Sequence, residues 1–173
     1  MSSAPVDKLQ LIEHARTVTP ALMTEGVPVL VRSIAKALEE DVPPEEVLFF
    51  EAIILTLQLL DRALFVHLGP VNRDIFMDTV LELIADGLTR LDIDVEGFRQ
   101  SYNDRLREYS QYREIITQPP KGSFGWEWGK RLALQYPRNS AVSIPLLGVL
   151  ASEQYIVLVK TLRELGVFAP EVQ

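Results

Sequence analysis

Three polar side chains interrupt the most apolar stretch of the sequence. Glu51, Gln58 and Arg62 are seven and four residues apart, so on a helix they fall along one line. Polar groups on a buried helix must find partners or stay near water. A carboxylate, an amide and a guanidinium suit a small polar ligand, so one hypothesis is a ligand-binding or enzymatic pocket built on these residues. The alternative is a solvated helix edge, or an ion pair with a neighbouring helix.

A row of acidic residues follows, at a constant spacing of four. Its members are Asp74, Asp78, Glu82 and Asp86. A step of four drifts around a helix by roughly 40°, so the row cannot converge on one metal ion. It predicts an exposed acidic face, or a face that docks a basic partner. The chain has no cysteine and two histidines, which leaves almost no material for a zinc site, and we predict no metal and no cofactor.

The segment Asp92–Gly97 resembles the start of an EF-hand calcium loop, with oxygen donors at alternate positions followed by a glycine. The pattern then fails, because Asn103 occupies the position of the bidentate glutamate and Arg99 replaces the usual apolar residue. Asp92 or Asp94 also has a sufficient role as a helix N-cap. The sequence leaves cation binding by this segment undecided and favours capping.

Charge and aromatic residues are unevenly distributed. Residues 1–90 contain 7 Lys/Arg and 14 Asp/Glu, whereas residues 91–173 contain 10 of each, so the whole formal charge of −7 lies in the first half. Eight of the 14 aromatic residues lie in residues 98–136, the aromatic-basic segment, among seven Lys and Arg residues. Tyrosine, tryptophan and arginine are enriched in protein interfaces. The acidic half and this segment could meet within one chain or across a dimer.

The spacing within this segment extends the interface hypothesis. Six residues follow each other at steps of four and three, as in a heptad stripe: Phe98, Tyr102, Arg105, Tyr109, Tyr112 and Ile116. Two tryptophans follow a Pro-Pro-Lys-Gly loop. The first functional prediction is therefore a binding protein that self-associates, possibly as a homodimer, or captures a protein partner through Tyr102, Arg105, Tyr109, Tyr112, Trp126 and Trp128. The alternative is a peripheral helix whose tyrosines lie between core and solvent.

Other function classes find little support. The negative charge argues against nucleic-acid binding, which needs a basic surface. Residues 125–130 end in Gly-Lys, but the glycine spacing is wrong for a P-loop. No catalytic motif is present, so a binding protein is favoured over an enzyme. No targeting signal and no uninterrupted apolar stretch long enough to span a bilayer occur, which predicts no membrane partner and a cytoplasmic location.

Apolar residues recur at helical spacing almost everywhere, which predicts an all-α fold. We expect residues 1–173 to form a single-domain helical bundle of about six or seven helices around a buried central helix, about 44–67, that is apolar nearly all round. The predicted helices are about 5–16, 28–40, 44–67, 71–91, 94–117, 126–136 and 143–165. Thr19-Pro20 predicts the start of a helix, and Gly26 and Pro28 predict an interruption. Gly69-Pro70 predicts the end of a helix, and Gly166 predicts a C-cap.

Overall fold

The chain is all-helical wherever a computed structural model describes it. The described residues are 7–38, 42–112, 121–135 and 140–169, without the side chains of 134, 135 and 140–142, and no β-strand occurs among them. The all-α prediction is confirmed. The elements are α1 Lys8–Ala21, a π-helical turn Leu22–Gly26, α2 Val27–Leu38, α3 Glu45–Arg90, α4 Val95–Tyr109, α5 Phe124–Gln135 and α6 Ser140–Glu164.

The first helical stretch is continuous from α1 through the π-helical turn into α2. The predicted helix start at Thr19 and the predicted interruption at Gly26 are therefore wrong. Thr19 does not cap a helix, because its hydroxyl donates to the Ala15 carbonyl at 2.7 Å within α1. Pro28 has no N–H to give to the helical ladder, and just before it the hydrogen bonding widens, with the Val27 N–H donating to Leu22.

Helix α3 changes direction at Gly69, where the sequence predicts a stop. Gly69 has φ 77° and ψ 172°, a conformation that glycine alone adopts readily. In a straight helix, Asp61 and Arg73 would be separated by about 18 Å along the axis. Their side chains instead form an ion pair of 2.7 Å. The second half of α3 must therefore fold back toward the first.

The first half of α3 is deeply buried. Every residue from Glu51 to Asp61 is buried, polar ones included, and α3 packs against α1, α2, α4 and α6. The predicted count of six or seven helices stays a prediction, because α1 and α2 run together and residues 136–139 lie outside the described part of the chain.

Helix α4 ends earlier than the predicted Thr117. It stops at Tyr109, and a turn at Ser110 follows in which the Ser110 hydroxyl donates to the Arg107 carbonyl at 2.8 Å. Serine competes for backbone hydrogen bonds in this way, which favours helix ends. Residues 113–120, and with them Ile116 of the predicted stripe, lie outside the described residues. Helix α6 begins before the predicted Ser143 and contains Pro145.

Two connections have clear local causes. After α3, Asp92 adopts φ 57°, and the next N–H, of Ile93, donates to the Leu88 carbonyl. Asp94 then caps α4, its carboxylate accepting from the Gly97 N–H at 3.0 Å. The segment that resembles a calcium loop therefore uses these residues to end one helix and start the next. Gly166, at φ 73°, closes α6 as predicted.

One stretch of α6, Ser143–Glu164, is long and apolar enough by composition to cross a membrane, with a mean hydropathy of 1.3. Of its most apolar window, 39% is buried inside the protein. Core helices of water-soluble proteins meet the same criterion, so this stretch does not test the prediction of no membrane partner.

Helices α5 and α6 pack unusually closely. A Cβ added at Gly125 would lie 2.8 Å from the Gly148 carbonyl oxygen, and one added at Gly129 would lie 2.8 Å from the Ile144 carbonyl oxygen. Both contacts are too short for a real side chain, and both involve backbone. Gly125 and Gly129, whose spacing does not match a P-loop, therefore allow the close crossing of α5 and α6.

We expect Gly129→Ala to destabilise the protein by about 1–3 kcal/mol, because the new methyl group must push α6 away. Gly87 provides the matched control, since it lies within α3 with nothing within 4 Å of an added Cβ. Gly87→Ala should stabilise by about 0.5–1 kcal/mol through helix propensity. Urea denaturation followed by circular dichroism measures both changes. Equal effects of the two substitutions would show that α5 and α6 do not pack at this distance.

Candidate functional site

A cavity of about 410 Å³ lies where the two halves of α3 meet α4. Its lining residues are Gln58, Asp61, Arg62, Phe65, Val66, Arg73, Leu106 and Ser110. The bend at Gly69 is what brings the second half of α3 to this place, since Arg73 comes from beyond it. Two of the three residues of the predicted pocket, Gln58 and Arg62, lie side by side in its wall.

Glu51, the third residue of the predicted pocket, does not line the cavity. Its carboxylate is buried and accepts two hydrogen bonds from Arg105 of α4, at 2.5 and 3.0 Å. Burial alone would lower the pKa of Arg105, but the hydrogen bond and the charge of Glu51 outweigh it and raise that pKa. Glu51 therefore does not belong with Gln58 and Arg62 in the predicted pocket. The alternative interpretation, an ion pair with a neighbouring helix, describes Glu51 instead.

Gln58 is 2% exposed, and its amide nitrogen Nε2 has no hydrogen-bond partner among the described residues. A buried amide without a partner costs about 1–3 kcal/mol of stability. Gln58 lies in the cavity wall, but Nε2 itself is covered by protein atoms. This is the one polar lining group whose burial is nearly complete and whose hydrogen bonding is incomplete.

Arg62 is held by α4 and α5. One of its terminal nitrogens, Nη2, donates to the Tyr109 carbonyl at 2.7 Å, at the C-terminus of α4, where a cation is favourable. Its guanidinium carbon lies 4.3 Å from the centre of the Phe124 ring. Its Nε is buried without a hydrogen-bond partner among the described residues. Arg62 is thus firmly positioned with one donor still unused.

The three arginines around this region differ in how their charge is balanced. Arg105 is paired with Glu51, and Arg73 is hydrogen-bonded to Asp61 at 2.7 Å and Asp74 at 2.5 Å. Hydrogen bonds and charges of these aspartates outweigh burial and raise the pKa of Arg73. Arg62 forms no ion pair with any described carboxylate, and burial lowers its pKa despite the nearby charge of Asp61. The cavity wall therefore carries one arginine without an ion pair to a described carboxylate.

The structure places most of the predicted interface inside the protein. Tyr102 is 4% exposed, Arg105 6%, Tyr109 0% and Trp128 1%. Burial raises the pKa of Tyr109 to about 12. These four side chains belong to this chain's own packing. Tyr102, Arg105 and Tyr109 lie on the stripe of α4 that faces α3, and Trp128 lies on α5, which packs against α6.

Two predicted interface residues, Tyr112 and Trp126, are partly buried and reach the surface. Glu51 of the acidic half pairs with Arg105 of the aromatic-basic segment, so these two parts of the sequence contact each other within one chain.

Asp61 and Arg73 line the cavity but are missing from the predicted site. Asp61 lies off the helical line of Gln58 and Arg62, and Arg73 is eleven positions beyond Arg62 in sequence. Only the turn at Gly69 brings them together, and its angle does not follow from the residue types. The Gly69-Pro70 stop was the available signal that residues beyond it could return to the same site.

The acidic row of α3 is exposed at all four positions, as the predicted acidic face requires. No group of three or more His, Asp or Glu residues able to hold a metal ion occurs among the residues that the structure describes. His67 is exposed, and its ring lies 4.4 Å from that of Phe168.

No known protein-family model, curated protein or solved structure matches the chain.

The Glu51–Arg105 pair gives a testable energetic pattern. We expect Glu51→Leu or Arg105→Met alone to destabilise the protein by about 3–5 kcal/mol, because each leaves a buried charge unpaired. The double variant should regain most of that loss. Urea denaturation of all four proteins measures the cycle, with the exposed Asp104–Arg107 pair as a control whose single substitutions stay within about 1 kcal/mol. A double variant as unstable as the sum of the two singles would contradict the pairing.

At Gln58, by contrast, we expect a substitution to increase stability. Gln58→Met keeps the length of the side chain and removes the unpartnered amide, so it should stabilise the protein by about 1 kcal/mol or more. Thermal unfolding of the unliganded protein checks this, beside Gln154→Met at a partly exposed position with no expected gain. A clear loss of stability in Gln58→Met would mean that the amide serves the fold.

Proposed function

We propose that the protein binds a small molecule in the cavity between α3 and α4, with Gln58 and Arg62 as its main polar contacts. The observation that carries the proposal is the part-buried guanidinium of Arg62 in the cavity wall, which forms no ion pair with any described carboxylate. Fixed polar groups of this kind lower stability, and proteins commonly retain them where they serve binding. Of the two functional hypotheses from the sequence, the pocket therefore has the stronger support.

The cavity has the general properties of a ligand site. Its volume of about 410 Å³ lies within the range of small-molecule pockets, about 300–1,000 Å³. Apolar walls from Phe65, Val66 and Leu106 surround a few polar groups, the usual composition of such a site. Phe65 and Val66 are 55% and 67% exposed, so a ligand can enter and cover them.

The polar groups are also well positioned for recognition. Gln58 and Arg62 are four residues apart on the same helix, and Arg62 is fixed by Tyr109 and Phe124. Sites on packed helices hold their geometry better than sites on loops. A ligand would meet a guanidinium whose position changes little on binding.

A fragment screen by nuclear magnetic resonance tests the proposal on the full chain. Small anionic, cationic and neutral fragments are added to the ¹⁵N-labelled protein, and the Gln58 side-chain amide and the Leu106 and Ser110 backbone amides are followed. We expect members of at least one class to shift these signals. Ser110→Trp should abolish the shifts by blocking the entrance, whereas Gln111→Trp, at the adjacent exposed position, should not. Absence of shifts with all three classes would overturn the proposal.

Self-association through residues 98–136 is our second proposal. Tyr112 and Trp126 reach the surface, and exposed cations on α4 and α5, including Arg107 and Lys130, complement the exposed acidic row of α3. Two copies could therefore pair opposite charges. The rotational correlation time of the same samples reports the oligomeric state. A monomer at the highest concentration would leave the ligand pocket as the surviving function.

We also propose that residues 1–173 form one domain and that the first half of α3 lies at its centre. We further propose that the protein is cytoplasmic. Support for the central position comes from the burial of residues 51–61 and from the packing of α3 against four other helices.

A further inference from the structure

We propose that the ligand of this cavity is a small organic monocarboxylate with an apolar body. This inference rests on the proposed function and names the class of molecule that the same site selects. The charge, the hydrogen-bonding groups and the apolar walls of the cavity each point to it independently.

The charge of the lining favours an anion of low charge. Arg73 is bound by Asp61 and Asp74, whereas Arg62 is a lining cation that forms no ion pair with a described carboxylate. A monoanion can pair with this single cation. Asp61 lies nearby and repels anions, and this repulsion is stronger for a dianion such as phosphate.

The guanidinium of Arg62 favours an acceptor. Arg62 is only partly buried in the cavity wall, and one of its terminal nitrogens, Nη2, is used by the Tyr109 carbonyl. Gln58 Nε2 and Arg62 Nε are covered by protein atoms and do not face the cavity. A carboxylate presents two acceptor oxygens in one plane, and guanidinium groups bind such oxygens with strong, charge-assisted hydrogen bonds. An ammonium group would be repelled by this cation.

The rest of the cavity requires an apolar body. Phe65, Val66 and Leu106 form walls that offer no hydrogen bond through their side chains. The exposed faces of Phe65 and Val66 would lose contact with water when an alkyl or aryl group covers them, which is favourable. A carboxylate with no such body would use only part of the site.

The test compares three probes that share one body. Hexanoate, hexanamide and hexylammonium are titrated into the full chain, and their affinities are read from the Leu106 and Ser110 backbone amides. We expect hexanoate to bind about tenfold or more tightly than hexanamide, and hexylammonium not to bind. Acetate, which lacks the apolar body, should bind more weakly than hexanoate.

Variants then locate the charge that matters. Arg62→Met should lower hexanoate affinity by about tenfold or more and hexanamide affinity much less. Arg107→Met, an exposed arginine on the neighbouring helix, is the matched control and should change neither. Because Arg62 also contacts Tyr109 and Phe124, Arg62→Lys serves if Arg62→Met fails to fold. It should weaken hexanoate binding because lysine lacks the planar guanidinium that binds two carboxylate oxygens.

The outcomes separate this inference from the proposed function. Equal binding of hexanoate and hexanamide, or hits in the fragment screen from neutral or cationic molecules alone, would overturn the carboxylate and leave the pocket. Tighter binding of inorganic phosphate than of hexanoate would also overturn it. If no fragment of any class shifts the cavity signals, both the inference and the proposed function fail.

Discussion

The buried ion pair between Glu51 and Arg105 determines how α4 lies on α3. A charge removed from water needs an opposite charge with good geometry, and the two hydrogen bonds of this pair supply it. The same requirement applies along the whole inner face of α3. Asp61 is satisfied by Arg73 from beyond the bend, whereas Gln58 and Arg62 are satisfied only in part. Trp128 Nε1, away from the cavity, has no partner among the described residues either, so an unpartnered buried donor does not by itself mark a ligand site.

The bend at Gly69 gives these groups a cavity. Without it, α3 would continue as a straight helix, and Arg73 would lie too far from Asp61 to pair with it. The positive φ of Gly69 turns the chain, and Pro70 resumes the helix at a position where its missing N–H is least costly. The resulting corner is closed on one side by α4, which Glu51 and Arg62 hold from α3. Residues of structural ion pairs and polar residues that line the cavity thus lie along one helix.

Much of the fold follows from the sequence, and less of the site does. The all-α class, the break at Gly69 and the cap at Gly166 follow from local patterns. The continuous passage through Pro20 and Pro28 does not, because a π-helical turn absorbs what local rules treat as a stop. The four-residue spacing of Gln58 and Arg62 within an apolar helix predicts that they lie side by side. Whether Glu51 and Tyr109 face a ligand, a partner or a neighbouring helix depends on packing between distant segments, which one sequence does not specify.

The most direct test of the central claim is the terminal Nη–H signals of Arg62 in the ¹⁵N-labelled protein. If Arg62 is a cation of the cavity wall without an ion pair, hexanoate should shift these signals and slow their exchange with water, while hexanamide has little effect. The Nη–H signals of the exposed Arg107 provide the internal reference and should not change. An Arg62 signal that stays unmoved and unprotected at saturating hexanoate would contradict the account.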